Sequence, residues 1–280
     1  MRFPWLPPLL LSWLVFSAQA MTPGATLILQ CPESGKFFSL STIGSGNTFG
    51  GTIWSDGYAH FPMLPSTPEI GRCGEQGKFF WVAEAAVVGQ FKPREHTNIP
   101  PEWRDAYQMG SLSAKGYLDA LAEGVARNRK EELHLRKQAW WAANDRFRVP
   151  EIEIQRKRMS VEDFERRRAN AAGTSKGASV PSDLPTTANR TKTVNPIPGP
   201  FPPGTTARDN LERIVDLLSL DDANERLQKA EALRELGRFE EAQQILQSPF
   251  PAQMQGVARQ ILELVEQGNT VVRELTTSRK

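Results

Sequence analysis

Apolar residues cluster in short β-prone runs over the first hundred positions and recur at three- and four-residue spacings beyond them. Ala25-Thr26-Leu27-Ile28-Leu29-Gln30 is one such run; Phe37-Phe38-Ser39-Leu40-Ser41-Thr42-Ile43 and Phe79-Phe80-Trp81-Val82 are two more. Between them, residues 45–57 carry Gly and Asn at both ends, which predicts a hairpin bearing Phe49, Ile53 and Trp54. Pro62-Met63-Leu64-Pro65 predicts an extended crossing, since proline biases the preceding residue away from helix.

From Pro100 the period becomes helical. Pro101-Glu102-Trp103 predicts a helix start; Tyr117, Leu118 and Leu121 continue an amphipathic pattern that Gly124 ends. A second helix is predicted over 127–146, with Leu133, Lys137, Trp140, Trp141 and Asn144 at helical spacings, forming a hairpin with the first. Helices resume near Ala207, where Leu211, Ile214, Val215 and Leu218 make one stripe. Residues 257–265 and 270–275 supply further helices. The class expected is α+β: a small ribbon-like β domain, then α-helical hairpins with a disordered linker.

Composition adds the boundaries. Proline, with 21 copies, clusters at the N-terminus and over 181–203, and residues 171–206 hold almost no large apolar side chain. Such a stretch cannot bury enough surface to offset ordering, so it reads as a flexible linker. The segments expected are 1–20, 21–98, 99–170, 171–206 and 207–280. A net charge of +2 gives no reason to expect a polyanionic partner or nucleic acid. In the arginine-rich stretch 146–169, interleaved Glu151, Glu153, Glu162, Asp163 and Glu165 point to a solvated mixed-charge helix.

Residues 1–20 read as a secretory signal, with Arg2, an apolar stretch over 6–16 and Ala18-Gln19-Ala20 as cleavage site. The mature chain is then periplasmic or secreted, with no transmembrane segment. Translation from Met21 would instead leave it cytoplasmic.

Cys31 and Cys73 are the two cysteines, each opening an eight-residue string: Cys-Pro-Glu-Ser-Gly-Lys-Phe-Phe at 31–38 and Cys-Gly-Glu-Gln-Gly-Lys-Phe-Phe at 73–80. A closed zinc site needs four donors, two from each knuckle; Ser34 and Gln76 stand where the second cysteines would be. Disulfide formation in an oxidising compartment is the first expectation. A degenerate zinc site completed by Glu33, Glu75 or His60, and two free thiols, are the alternatives. Positive φ is expected at Gly35 and Gly77.

Residues 227–246 resemble a tetratricopeptide repeat, with Ala230, Leu233, Gly237, Phe239, Ala242 and Leu246 at its small, bulky, turn, aromatic, small and bulky positions. Pro249 departs from that pattern and cuts the second helix short. Together with Ser45-Gly46-Asn47-Thr48-Phe49-Gly50, Trp54-Ser55-Asp56-Gly57 and Pro62-Met63-Leu64-Pro65 between two knuckles, residues 28–147 and 207–248 resemble a group of uncharacterised bacterial proteins. Those pair an N-terminal zinc-ribbon-like segment with C-terminal tetratricopeptide-like helices. The resemblance implies an architecture and no activity.

Candidate chemistry is sparse. Ser55, Asp56 and His60 invite a hydrolase reading, but Asp56-Gly57 also reads as a turn whose carboxylate bonds local backbone. His60, His96 and His134 share no ligand spacing. Trp140, Trp141, Asn144 and Asp145 could line a peptide or glycan groove, or pack in a core. No phosphate-binding glycine loop is present. The expectation is an exported, non-enzymatic scaffold holding a protein or peptide. A metal or thiol-redox module on Cys31 and Cys73 is the alternative, and a cell-envelope hydrolase a weaker one. No cofactor is expected, zinc being the exception to watch.

Overall fold

β1 (Thr22–Gln30) and β2 (Phe37–Ser45) pair antiparallel, setting Leu29 opposite Phe38 and Leu27 opposite Leu40. Period-two alternation turns these side chains to one face, where they meet Cys31, Cys73, Phe80 and Met109. The computed structural model describes residues 21–74, 77–92, 99–148 and 201–276. The predicted signal 1–20, Glu75, Gln76, His96, and residues 149–200 with most of the arginine-rich stretch and linker lie outside these residues.

β7 (Ala86–Phe91) adds antiparallel to β1, and β8 (Tyr107–Gln108) adds parallel to β2, giving the order β7-β1-β2-β8. β3 (Thr52–Trp54) and β4 (Ala59–His60) form a second sheet, β5 (Ile70–Arg72) and β6 (Phe79–Trp81) a hairpin. On β6, neighbouring phenylalanines point to opposite faces: Phe80 enters the sheet core, and Phe79 enters a second core with Ile70, Tyr117, Ala120, Leu135 and Ala139.

The helices are α1 (Pro101–Arg104), α2 (Ala114–Ala122), α3 (Arg129–Asn144), α4 (Thr206–Leu217), α5 (Ala223–Glu235), α6 (Phe239–Leu246) and α7 (Ala252–Glu266). Side-chain oxygens of Ser113, Asn128, Thr205 and Asp222 cap four of them, accepting from backbone N–H groups in the first turn. α3 is buried on two sides. Leu135 and Ala139 face the α2 core, whereas Leu133 and Trp140 face the core of α4–α7. The fold is α+β.

Several expectations change. The helix predicted from Pro101 stops after one turn, because the chain leaves it to pair β8 with β2, and a new helix starts at the Ser113 cap. The hairpin predicted over 45–57 instead turns at 55–58, and Phe49 is exposed. Residues 270–275 are not helical: β9 (Glu274–Leu275) pairs antiparallel with β3, Ile53 opposite Leu275. The last six positions of the predicted linker are packed or structured, for Phe201 is buried in the helical core and α4 begins at Thr206. The N-terminal β region and the C-terminal tail therefore join through β3 and β9.

Candidate functional site

The two knuckles form matching loops. Cys31 N–H donates to Lys36 O at 2.9 Å, and Cys73 N–H donates to Lys78 O at 3.0 Å. Both chains then run into Phe-Phe strands, so the sulfurs are brought together with Cα atoms 5.7 Å apart and joined as a disulfide. Both cysteines are buried, and Lys78 reaches Glu33 across the loops at 2.8 Å. The bridged sulfurs offer no thiolates to a metal. Gly35 has the expected positive φ of 65°, but in the second loop that role falls to Gly74, at 84°. Gly77 is demanded by space instead: a Cβ there would stand 2.0 Å from Cys73 O. Among the described residues, no group of His, Cys, Asp and Glu is arranged to hold a metal ion.

Asp56 does make the expected turn, accepting from Tyr58 N–H at 3.0 Å. It also does something the turn reading missed. Its carboxylate is fully buried, paired with Arg148, and accepts from Asn144 Nδ2 at 3.0 Å. The same nitrogen reaches Glu235 Oε2 at 3.1 Å, and Trp140 Nε1 donates to that oxygen at 2.9 Å. Behind Glu235, Arg234 grips Glu231 through two hydrogen bonds of 2.8 and 2.6 Å and holds Asn269 O. Asp56, Asn144, Arg148, Glu231, Arg234 and Glu235 thus make one buried polar cluster joining the β3–β4 turn to α3, α5 and the C-terminal tail.

This cluster absorbs most residues singled out for binding. Trp140 and Asn144 are buried within it. Trp141 Nε1 donates to Asp56 O at 3.1 Å, while Asp145 stays exposed and pairs with Arg148 at 2.6 Å. Arg148, expected on a solvated helix, is 8% exposed. Ser55 lies beside the cluster: its Oγ accepts from Arg273 N–H at 3.0 Å, so the hydroxyl secures β9. His60 is exposed on β4. Ser55, Asp56 and His60 therefore serve three separate surroundings.

Two hollows remain. One, of about 320 Å³, takes His134, Gln138 and Trp141 from one face of α3, with Tyr58, Glu69 and Tyr117 opposite. Tyr58 already carries Arg148 over its ring at 4.1 Å, and Trp141 carries Lys137 at 5.3 Å. The larger, about 540 Å³, lies between α4, α5 and α6. Arg226, Lys229 and Leu233 share one face of α5 at spacings of three and four; Glu241, Gln244 and Ile245 share one face of α6, and Ser248 follows its end.

Of the repeat-motif positions, Leu233 lines this groove itself. Ala230 and Ala242 are completely buried and let α5 and α6 approach closely; Leu233 and Leu246 are buried beside them. Gly237, at φ 79°, turns the chain, and Phe239 packs against the same core. Sequence reasoning did not single out Arg226, Lys229 and Arg238 as groove cations, nor Glu231, Arg234 and Glu235 as buried. On a helix where residues 230–235 are all buried, charge spacing alone does not tell which side meets solvent. No helix among the described residues is long and apolar enough to cross a membrane. Comparison of the chain with protein-family models, with curated proteins and with solved structures finds no match to any.

Proposed function

We propose that this chain is an exported, non-enzymatic adaptor that holds a partner polypeptide in the groove between α4, α5 and α6. The groove carries the reading. Apolar Val215, Leu233 and Ile245 and half-exposed Leu220 line it with three cations (Arg226, Lys229 and Arg238) and two acids, Asp216 and Glu241, the latter paired with Arg238 at 2.6 Å. Arg226 Nε is buried with no acceptor among the described residues. Such a lining suits a segment with apolar anchors flanked by acidic side chains. The tetratricopeptide resemblance agrees, since stacked helix pairs commonly bind peptides this way.

The disulfide supports export, because such bridges persist in oxidising compartments. Ser55 and Asp56 are engaged in structural hydrogen bonds, which leaves the hydrolase reading with little support. The thiol-redox reading fares no better, as both sulfurs are buried in the sheet core.

The test is site-specific photo-crosslinking in periplasmic extract with a photoreactive residue in place of Gln244. A defined polypeptide should be captured there, and the charge reversals Lys229→Glu and Arg238→Glu should weaken capture at least tenfold. Equal capture from a control position at Val88, on β7, would overturn the reading.

A further inference from the structure

The buried cluster does not balance its charges. Asp56, Glu231 and Glu235 bring three carboxyls; Arg148 and Arg234 bring two guanidiniums, and all five are at most 8% exposed. Asp145, which also contacts Arg148, is a solvated acid and cannot make up the deficit. An uncompensated buried charge is costly enough that one group takes up a proton instead.

Geometry indicates which one. Arg148 pairs directly with Asp56, and Arg234 chelates Glu231. For Glu235 the nearest guanidinium is 3.9 Å away, and its partners are neutral: Trp140 Nε1 and Asn144 Nδ2. We propose that Glu235 holds a proton in the folded chain, and that losing it unlatches the β3–β4 turn and β9 from the helices. The latch does not depend on the groove reading.

The groups around Glu235 come from several elements. Its own helix presents Glu231 and Arg234; α3 presents Trp140 and Asn144; the β3–β4 turn presents Asp56, with Tyr58 beneath Arg148. α4 presents Arg208, which reaches the Leu236 carbonyl at 3.4 Å, and the tail presents Asn269 O to Arg234. Burial, then the Glu231 and Asp56 charges, push the Glu235 carboxyl well above its ordinary range, against the pull of Arg234 and the Trp140 indole. Burial raises Asp56 as well, though Arg148, the Asn144 amide and the Tyr58 N–H oppose it. Deprotonation would set a second anion beside Asp56 across the shared Asn144 amide. The β3–β4 turn also meets Arg148 and the Trp141 indole and is joined through Ser55 to β9, so the shared amide is the contact on which the second anion bears.

The test follows the Glu235 carboxyl carbon and the Trp140 indole N–H by NMR in the full chain, from pH about 5 to 10. Both should titrate together, with the carboxyl still protonated at neutral pH. Because the folded pKa lies above the unfolded one of about 4.3, unfolding releases a proton between the two values. The unfolding constant should therefore rise up to about tenfold per pH unit in that window, and Glu235→Gln should remove the slope. Amide exchange at Ser55 and Arg273, corrected for its intrinsic pH dependence, should speed above the transition in the wild type and not in the variant. A carboxyl already ionised at neutral pH would overturn the proposal, even if the variant fails to fold. So would titration without faster exchange at Ser55 and Arg273.

Discussion

Asp56 and Glu235, from distant parts of the chain, accept hydrogen bonds from one amide nitrogen, Asn144 Nδ2, at 3.0 and 3.1 Å. That atom is where the β3–β4 turn and α5 are tied to α3. Arg148 completes the tie to Asp56.

Removing Arg148 leaves Asp56 buried beside an empty place. Arg148→Met should cost about 3–5 kcal/mol, the penalty of an uncompensated buried charge. The double variant Asp56→Leu with Arg148→Met should recover much of it, because two apolar groups leave nothing unpaired. Urea unfolding at constant slope measures both. A single variant as stable as wild type would show that Asp56 is not ionised in the fold.

Reduction tests the staple. Cys31 and Cys73 are 42 positions apart, and closing such a loop stabilises by about 4 kcal/mol in the chain-entropy model. The Cys31→Ser/Cys73→Ser variant should lose an amount of that order in urea. Wild type should match it only in the presence of reductant.

Two glycines of one loop should respond differently to the same substitution. Gly74→Ala adds a methyl into open space at φ 84°, so its cost is conformational, about 1 kcal/mol. Gly77→Ala drives a methyl to 2.0 Å from Cys73 O and 2.7 Å from Cys73 Cβ, so the loop bearing the disulfide must shift. Thermal unfolding should place Gly77→Ala well below Gly74→Ala.

On the acid side, Glu225 governs the start of α5. The Ser219 backbone N–H, donating at 2.8 Å, lowers its carboxyl below the usual range, and Arg129 adds to this against partial burial. A lowered folded pKa contributes stability above the unfolded value of about 4.3, and that stability is lost as pH falls through the folded one. Glu225→Gln should therefore flatten stability against pH in that acidic window and cost about 1 kcal/mol at neutral pH. Unchanged acid dependence would show that another carboxylate sets it.

Local signals located most elements because their causes are local. Alternation at Leu27, Leu29, Phe38 and Leu40 marks β1 and β2 by itself, and the Gly237 turn between Ala230 and Ala242 marks the α5–α6 hairpin. The disulfide was the first expectation because two opposed Cys-led strings in an exported chain bring their sulfurs together in an oxidising compartment. What went unread joins positions with no local pattern. β8 is two residues long and exists because β2 lies beside it; β9 is two residues long and exists because β3 does.

The candidate residues divide in the same way. Asp56 carries a turn signature, and the turn is there. Nothing near it announces Arg148 or Asn144, and nothing near Glu235 announces Trp140. The amino-acid order alone determined β1, β2, the Phe79-led strand and the α5–α6 hairpin, and made the bridge between the two sulfurs the first of three expectations, since these rest on neighbours within a turn or on a repeated string. Only the tertiary structure decided which charges are buried and that the tail closes on β3. Burial is set by what other segments cover, and one charged side chain reads the same on a helix whether water or a carboxylate stands opposite.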